Sequence, residues 1–595
     1  MEPALQQTVQ TSRFRQALRF LRPYRRSLVT ASILTGVLTL IGMAPPLLMR
    51  SLINDVAREN NWGIFPLIMG LLIAVPLFRA LINIFNSIIL NRTALEIISD
   101  ARKGLFRKLM RLSMRFYDQT PTGAINQRLF GDVGNVSGLA GGNLVALLGD
   151  AVMVIFAVVV MLKLSWMLSL LTFALLPLYY LNTWFFSHRI QTASVQLRSH
   201  MDHISSMLQE RLSAHELIQA YGQDRREATQ FSSKAKQVMD SAVKGQAYSI
   251  TFNQLADFLN RLGNTLIYCA GCYFFIKDQM GYGDVIAFAA YSTQLLGPVV
   301  RFSQMSSQLA QIGVSVDRIN EIRNREPAIR EDPEARPVAE LKGDVRVEGV
   351  TFGYDTDRSV LKHLHLEIPA GSNVAIVGTP GSGKTTLAML VRRFYDPSEG
   401  RIAVDGEDIR HFRLQDYRQA LALVMSESAI FDGTIRENLC YGKPEANESR
   451  MIEVAKAVGL HEFVASLRDG YDTSLGAGGL RLSVGAQQQI GVARALISDP
   501  MILILDEGTA ALDPDTAETV HQAIYDVMQG KTCILIVHRL QMASAADSVM
   551  VLRDGQVVET GFHEQLLHTD GTLYREIYGQ QYGEDELPPT KEVKP

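Results

Sequence analysis

Gly378-Thr379-Pro380-Gly381-Ser382-Gly383-Lys384-Thr385 fits the spacing G-x-x-x-x-G-K-[ST] and follows an apolar run, Val374-Ala375-Ile376-Val377. A strand feeding such a loop, with a helix opening at Gly383, lets glycine backbone N–H groups curl around a β-phosphate. The helix start adds partial positive charge at the same place. Lys384 is expected to reach the β- and γ-phosphates and Thr385 to hold Mg²⁺, with Thr386 beside them. The chemistry implied is binding and hydrolysis of ATP or GTP. A second stretch supplies the water side of that reaction. Met501-Ile502-Leu503-Ile504-Leu505 reads as a fully buried strand ending in Asp506-Glu507. Asp506 is expected to hold Mg²⁺, directly or through water. Glu507 is expected to polarise the attacking water as general base. Another buried strand, Ile534–Val537, ends at His538, and Asp554-Gly555 between two apolar runs reads as a hairpin turn. Parallel strands with helices on their faces predict an α/β core for residues 344–583.

The elements before that core are of another kind. A chain of 595 residues exceeds one ordinary domain. Its mean hydropathy of +0.07 is high for a chain with 20% charged residues, because a hydrophobic N-terminal half is averaged with a soluble-looking C-terminal half. The net charge of −3 gives no argument for a nucleic-acid partner. Four cysteines do not make a disulfide scaffold. Cys269-Ala270-Gly271-Cys272 lies inside an apolar segment and reads as helix packing rather than a metal or redox site.

Six apolar stretches are long enough to span a bilayer, which takes about 20 helical residues. They run near 27–50, 64–90, 142–163, 166–187, 257–277 and 284–306. Within an entry segment over 1–26, residues 12–25 alternate arginines with Phe14, Leu18, Phe20 and Leu21 and are expected to lie along the inner membrane surface. The long connections 91–141 and 188–256 are rich in Arg and Lys, whereas 51–63, 164–165 and 278–283 carry almost none. The long connections and both termini therefore face the cytoplasm. Helical spacing of apolar residues within them predicts extensions of the spans rather than separate domains. The expected layout is a transmembrane domain over 27–320, a Pro-rich charged linker over 321–343, the nucleotide domain over 344–583 and a disordered tail over 584–595. Arg79, Asp150, Asp257, Arg261 and Arg301 fall inside or near the spans. At 1.5 Å per residue all but Asp257 sit about 20–27 Å from the outer ends. Such residues tend to face a cavity or each other. Three arginines against two aspartates favour an anionic or zwitterionic solute if they line a cavity. Mutual pairing is the alternative.

Taken in order, these features resemble an ABC transporter half of the exporter type, over essentially the whole chain. That resemblance implies an all-α six-helix transmembrane domain followed by an α/β P-loop NTPase domain, with ATP and Mg²⁺ as cofactors. It also implies residue roles. Tyr354, in Phe352-Gly353-Tyr354, matches the aromatic that stacks on adenine. Asp513, in Ala510-Ala511-Leu512-Asp513, matches the loop that crosses to a partner domain. His538 matches the histidine that contacts the γ-phosphate. Phe431 through Asn438 matches the stretch facing the membrane domain. Phe116-Tyr117-Asp118 with Gly123, Arg128, Asp132 and Val133 resembles the first coupling region, and Glu210 through Gly222 the second.

The chain also departs from the family's pattern. The signature loop, usually Leu-Ser-Gly-Gly-Gln, reads Leu482-Ser483-Val484-Gly485-Ala486. In the family this loop caps ATP held by the partner's phosphate loop. Val484 puts a β-branched side chain where glycine allows close approach, and Ala486 removes an amide. Ala477 stands where the family often has Glu, and Ser426 where a glutamine usually contacts Mg²⁺ and water. An intact phosphate loop beside an altered signature resembles one half of a heterodimer with unequal sites; a homodimer tolerating the changes is the alternative. The expected activity is ATP-driven export of a lipid, drug-like compound or peptide, with import of a siderophore-like ligand as a second possibility. The expected location is a bacterial inner membrane, with the nucleotide domain cytoplasmic. A soluble ATPase would share the nucleotide motifs but not the spans. An ATP-gated channel would be marked by loss of the general base, and Glu507 is present.

Overall fold

The computed structural model describes residues 21–138, 144–338, 340–355, 358–426, 428–476, 478–506, 512–537 and 540–583. Most of the entry segment expected over 1–26 and the whole tail over 584–595 lie outside them. The chain divides into two compact units, one of residues 1–110 and 121–325, the other of 111–120 and 326–595.

The first unit is helical because its apolar runs leave the backbone no partner but itself. Its main helices are α1 (Arg25–Gly42), α2 (Ala44–Ser51), α3 (Phe65–Leu109), α4 (Leu144–Leu164), α5 (Trp166–Ser213), α6 (Asp224–Ile276), α7 (Tyr282–Gln294) and α8 (Leu296–Asn324). Pro45 and Pro46 at the start of α2 mark the break after α1. Ser165 separates α4 from α5, and its hydroxyl caps α5 by accepting from the Leu168 N–H at 3.3 Å. Among the described residues, four helical stretches are long and apolar enough to cross a membrane: Arg22–Arg58, Phe65–Leu109, Val145–Leu164 and Trp166–Ser213. The expected spans near 257–277 and 284–306 are helical but more polar. The first carries Asp257, Asn260, Arg261 and Asn264, and the second is divided at Leu295 between α7 and α8.

The long connections are continuations of the same helices. At 1.5 Å per residue, the 45 residues of α3 and the 53 of α6 span about 68 and 80 Å, more than twice a hydrocarbon core of about 30 Å. Along α3, Leu67, Ile73, Leu77, Phe78, Leu81, Ile84, Phe85 and Ile88 are all exposed. A soluble monomer does not leave so continuous an apolar face in water; in lipid it costs nothing. The α5–α6 pair is held by close backbone approach. Gly263 admits Leu175, whose Cδ1 would lie 2.9 Å from a Cβ there. Asn182 Nδ2 donates to the Phe252 carbonyl at 3.3 Å.

The second unit has two larger sheets and a short antiparallel pair, β7 (Gly433–Thr434) with β8 (Ser474–Leu475). A four-stranded antiparallel sheet runs in the order β2-β1-β4-β5 (β1 Val345–Phe352, β2 Leu361–Ile368, β4 Glu399–Val404, β5 Glu407–Asp408). A six-stranded sheet runs β12-β11-β3-β10-β9-β6, with β3 Asn373–Gly378, β6 Leu421–Val424, β9 Ile502–Asp506, β10 Thr532–Ile536, β11 Ser548–Arg553 and β12 Gln556–Gly561. Only β11–β12 is antiparallel, through the Asp554-Gly555 turn in which both residues have positive φ. The parallel strands are nearly continuous apolar runs because both faces are covered: β9 is buried at every residue. The carboxyl ends of β3 and β9 are followed by the helices α9 (Lys384–Val391) and α11 (Pro514–Val527), while α10 (Val484–Ile497) runs into the amino end of β9.

Fully buried Thr532 ties the entrance of β10 to the start of this unit. Its hydroxyl donates to the Gly343 carbonyl at 2.7 Å and accepts from the Gly371 N–H at 3.0 Å. Thr532→Val keeps the shape but orphans both backbone groups, a loss of about 1–3 kcal/mol. The expected outcome is a lower midpoint for thermal unfolding of the nucleotide domain, read by scanning fluorimetry; an unchanged midpoint would remove this tie from the account.

Candidate functional site

Strand register assembles the nucleotide site. Ile376 of β3 pairs with Ile536 of β10, which pairs with Asp506 of β9. The carboxyl ends of three neighbouring parallel strands thus fall on one edge, where open α/β sheets bind ligands. The loop after β3 is shaped by its glycines: Gly381 has φ +81° and Gly383 φ +103°. At Gly383 a Cβ would also lie 2.5 Å from Leu361 Cδ2, so both conformation and space require glycine. Gly383 is the N-cap of α9. Lys384 is 5% exposed, and its Nζ donates to the carbonyls of Gly378 at 2.8 Å and Thr379 at 3.1 Å. The ammonium is thereby folded back onto the carbonyl oxygens of the loop. Ser382 is buried, and Thr385, one residue into the helix, is exposed.

Tyr354 sits at the rim, 39% exposed. Its hydroxyl pairs with Thr386 Oγ1 at 3.2 Å, and its ring meets Tyr395 edge-on at 5.3 Å. The hydroxyl is held while a face stays open, as a base-stacking platform needs. Tyr395 was not singled out by sequence. It is buried, and its hydroxyl donates to Asp118 on the short helix Met114–Gln119, part of the same unit. Burial first and the Asp118 carboxylate second hold the Tyr395 phenol well above its ordinary pKa. The only sequence cue was its place in Phe394-Tyr395-Asp396, four residues beyond the end of α9.

The altered signature opens α10. Ser483 is its N-cap, with Oγ accepting from the Ala486 N–H at 3.2 Å. Val484, the first helical residue, is 60% exposed, so a β-branched apolar group stands at the helix mouth. Gln487 Nε2 reaches back to the Leu482 carbonyl at 3.2 Å. Gln488, also missed by sequence, is buried and donates from Nε2 to the Ser426 carbonyl at 2.9 Å. The signature helix and the Ser426 segment are therefore one connected piece. Asp513 caps α11 by accepting from the Thr516 N–H at 3.0 Å; backbone hydrogen bonds hold its carboxyl below the ordinary range. Asp506 ends β9 and is buried. Glu507, His538, Ala477, Ala510 and Ala511 lie outside the described residues.

A hydroxyl at Thr385 and a carboxylate at Asp506 are both hard oxygen donors, the set that Mg²⁺ takes alongside phosphate oxygens. The residues present fit the ion. Among the described residues no cluster of three or more His, Cys, Asp or Glu side chains forms a metal site elsewhere. Of the five charged residues expected in the membrane, the structure joins two. Arg301 Nε and Nη2 donate to the two oxygens of Asp150 at 2.7 and 2.5 Å. The Arg79 guanidinium packs against Gly42, where a Cβ would lie 3.0 Å from Cζ. Arg79, Asp257 and Arg261 are exposed, without an ion pair or side-chain hydrogen bond among the described residues.

Comparison with known proteins follows this division. The model of the ABC transporter transmembrane region matches residues 28–299, and that of the ABC transporter family matches 361–510. A Desulfotalea psychrophila protein named ATP-dependent lipid A-core flippase is 32% identical, over 94% of this chain and 97% of its own. A Bacillus subtilis protein provisionally named for multidrug export is 28% identical, over 94% and 98%. A solved structure of a bacterial Atm1-family ABC exporter with ATP bound superposes with a TM-score of 0.79 at 26% identity, covering 94% of this chain and 98% of that one. The chain belongs to the ABC transporters: it is an exporter-type fusion of a transmembrane domain with an ABC ATPase domain, a multi-pass inner-membrane protein that couples ATP hydrolysis to transport.

Proposed function

We propose that this chain exports an amphipathic, anionic solute of the lipid or drug-like class, as one half of a heterodimer whose other half carries an intact signature loop. The observation that carries the pairing is the contrast between two helix mouths. At α9 the glycines, Lys384, Thr385 and Tyr354 form an unobstructed phosphate cradle with a stacking platform. At α10 exposed Val484 crowds the N-terminus that a partner's γ-phosphate has to approach. The competent site then uses this chain's cradle and the partner's signature; the weaker site uses Ser483 and Gly485.

In the competent site Tyr354 stacks on adenine, and Lys384 with the loop N–H groups neutralises the β- and γ-phosphates. Thr385 and Asp506 would hold Mg²⁺, which when bound would supply positive charge to the phosphate oxygens. Glu507 polarises the water and His538 orients the γ-phosphate. Asp513 lies at the crossing to the partner. ATP binds the closed pair of nucleotide domains more tightly than the open pair, and that difference drives the membrane helices between inward- and outward-facing states.

The solute class follows from the arginines. Asp150 neutralises Arg301, which leaves Arg79 and Arg261 against Asp257 in or near the spans, an excess of one cation. Placing an unpaired arginine there is costly, and an anionic headgroup entering from the membrane supplies the missing charge. The lipid A-core flippase name of the relatives from Desulfotalea psychrophila and Syntrophus aciditrophicus agrees with such a solute.

Purification under mild detergent is expected to bring down a stoichiometric second half-transporter. Glu507→Gln should then abolish most ATP turnover, while Val484→Gly with Ala486→Gln should raise it. A self-dimer with Glu507-dependent turnover, indifferent to the signature repair, would overturn the unequal-site reading. Arg261→Gln should raise the concentration of a phosphate-bearing lipid needed for half-maximal ATPase stimulation by about 10-fold or more, without changing stimulation by a zwitterionic lipid. Equal responses to both would remove the anionic assignment. Tyr354→Ala should raise KM for ATP about 2- to 10-fold with little change in kcat.

A further inference from the structure

The outer ends of α2 and α7 are knit together at the two short connections that the charge pattern places outside the membrane. Asp284, in the first turn of α7, divides its carboxylate between two tasks. Oδ2 accepts from the Gly281 N–H at 2.9 Å and caps the helix. Oδ1 accepts from Arg50 Nε, at the end of α2, in a close ion pair. Asn54 reinforces the joint, its Oδ1 accepting from the Gly283 N–H at 2.8 Å. Asn54 lies in a π-helical turn, Leu52–Arg58, a rare backbone form that concentrates at functional sites.

The two glycines make the approach possible. A Cβ at Gly283 would lie 2.6 Å from the Arg50 carbonyl oxygen, and one at Gly281 would lie 2.5 Å from Asn54 Nδ2. Deeper in the unit, the fully buried Tyr291 hydroxyl donates to the Met43 carbonyl at 2.5 Å, at the break between α1 and α2. The neighbouring pair Arg58–Asp278 has side chains 53% and 82% exposed and contributes little.

This joint differs from ordinary helix packing in how it can part. At Gly281 and Gly283 the approach is glycine against backbone and amide, so this end parts without large side chains leaving holes; the packed Met43, Phe288 and Tyr291 lie deeper. The Arg50 side chain is already 45% exposed, so water can take over its charge on separation. Alternating access requires outer helix ends that separate as discrete states. We propose that Arg50, Asn54, Gly281, Gly283 and Asp284 form a releasable latch on the outer side of the membrane, closed when the transporter faces inward and open when it faces outward. The latch goes beyond the solute and partner assigned above and holds for any identity of either.

The test uses the full chain in its native assembly, in lipid nanodiscs, with Cys269, Cys272, Cys440 and Cys533 replaced. Spin labels at Trp62→Cys and Gln279→Cys report the separation of the two connections by double electron–electron resonance. The expected result is a longer-distance population after ATP and vanadate. Asp284→Asn, which keeps an acceptor for the helix cap, should enlarge that population at least 3-fold without nucleotide, at an unchanged unfolding midpoint. In a second preparation without the labels, Arg50→Cys with Asp284→Cys should lower ATP turnover at least 5-fold on oxidation, with recovery in dithiothreitol. Identical distance distributions in every state, or full turnover by the oxidised pair, would overturn the latch. No solute or partner assignment enters either readout, so failure here leaves the proposed function standing.

Discussion

Parallel pairing of β3, β10 and β9 is the constraint on which the nucleotide site depends. The pairing places the loop after Gly378, the end of β10 and Asp506 on one edge, from three segments far apart in the chain. Parallel strands cannot be joined by tight turns, so each must return through a covered crossover. Those crossovers bury the strands on both faces. They also deliver helix mouths to the same edge: α9 begins at Gly383 and α11 at Asp513. Slippage of β9 by one residue would turn Asp506 to the opposite face of the sheet. A sheet buried on both sides resists that slippage, because every residue of β9 is already committed to a packed neighbour.

Much of this was legible in the sequence because the signals are local. The phosphate loop needs glycine at fixed offsets, and a strand buried on both faces needs an unbroken apolar run. The divided membrane and nucleotide halves showed in hydropathy alone. What stayed hidden depends on long-range placement. Tyr395 is one tyrosine among many until folding sets it between Tyr354 and Asp118, which lie 41 residues before and 277 residues before it in the chain. Gln488 reads as a continuation of a polar run until its amide is found on the Ser426 carbonyl, 62 residues away. The Asp150–Arg301 pair spans 151 residues, and charge counting alone left open whether those groups faced a solute or each other. The expected spans near 257–277 and 284–306 fall on helices more polar than the four apolar stretches, and the break at Leu295 lies just before Gly297-Pro298, whose proline has no N–H for the Gln294 carbonyl.

Within the membrane unit, polar groups mark the places where helices are specified rather than merely packed. Lipid offers no hydrophobic drive for one apolar helix to prefer another, so small residues and hydrogen bonds select the neighbours. Gly263 and Asn182 do this between α5 and α6. Tyr291 does it for α7 against the α1–α2 break. Asp132 does it farther along. It is 2% exposed, accepts from Ser315 Oγ at 2.8 Å and draws α8 against a second π-helical turn, Arg128–Asp132. These contacts are sparse, and each fixes a register that the apolar surfaces between them leave free.

The length of α3, α5 and α6 carries a mechanical consequence. A bilayer uses about 30 Å of each helix, which leaves roughly 50 Å of α6 as a stiff rod in water. Such a rod is a lever with its fulcrum at the membrane surface. A tilt of about 5° moves its far end by roughly 4 Å, nearly one helical pitch, while the residues at the fulcrum shift by a fraction of that. Angular strain too small to disturb packing inside the bilayer is thereby read out as a displacement large enough to exchange one set of contacts for the next.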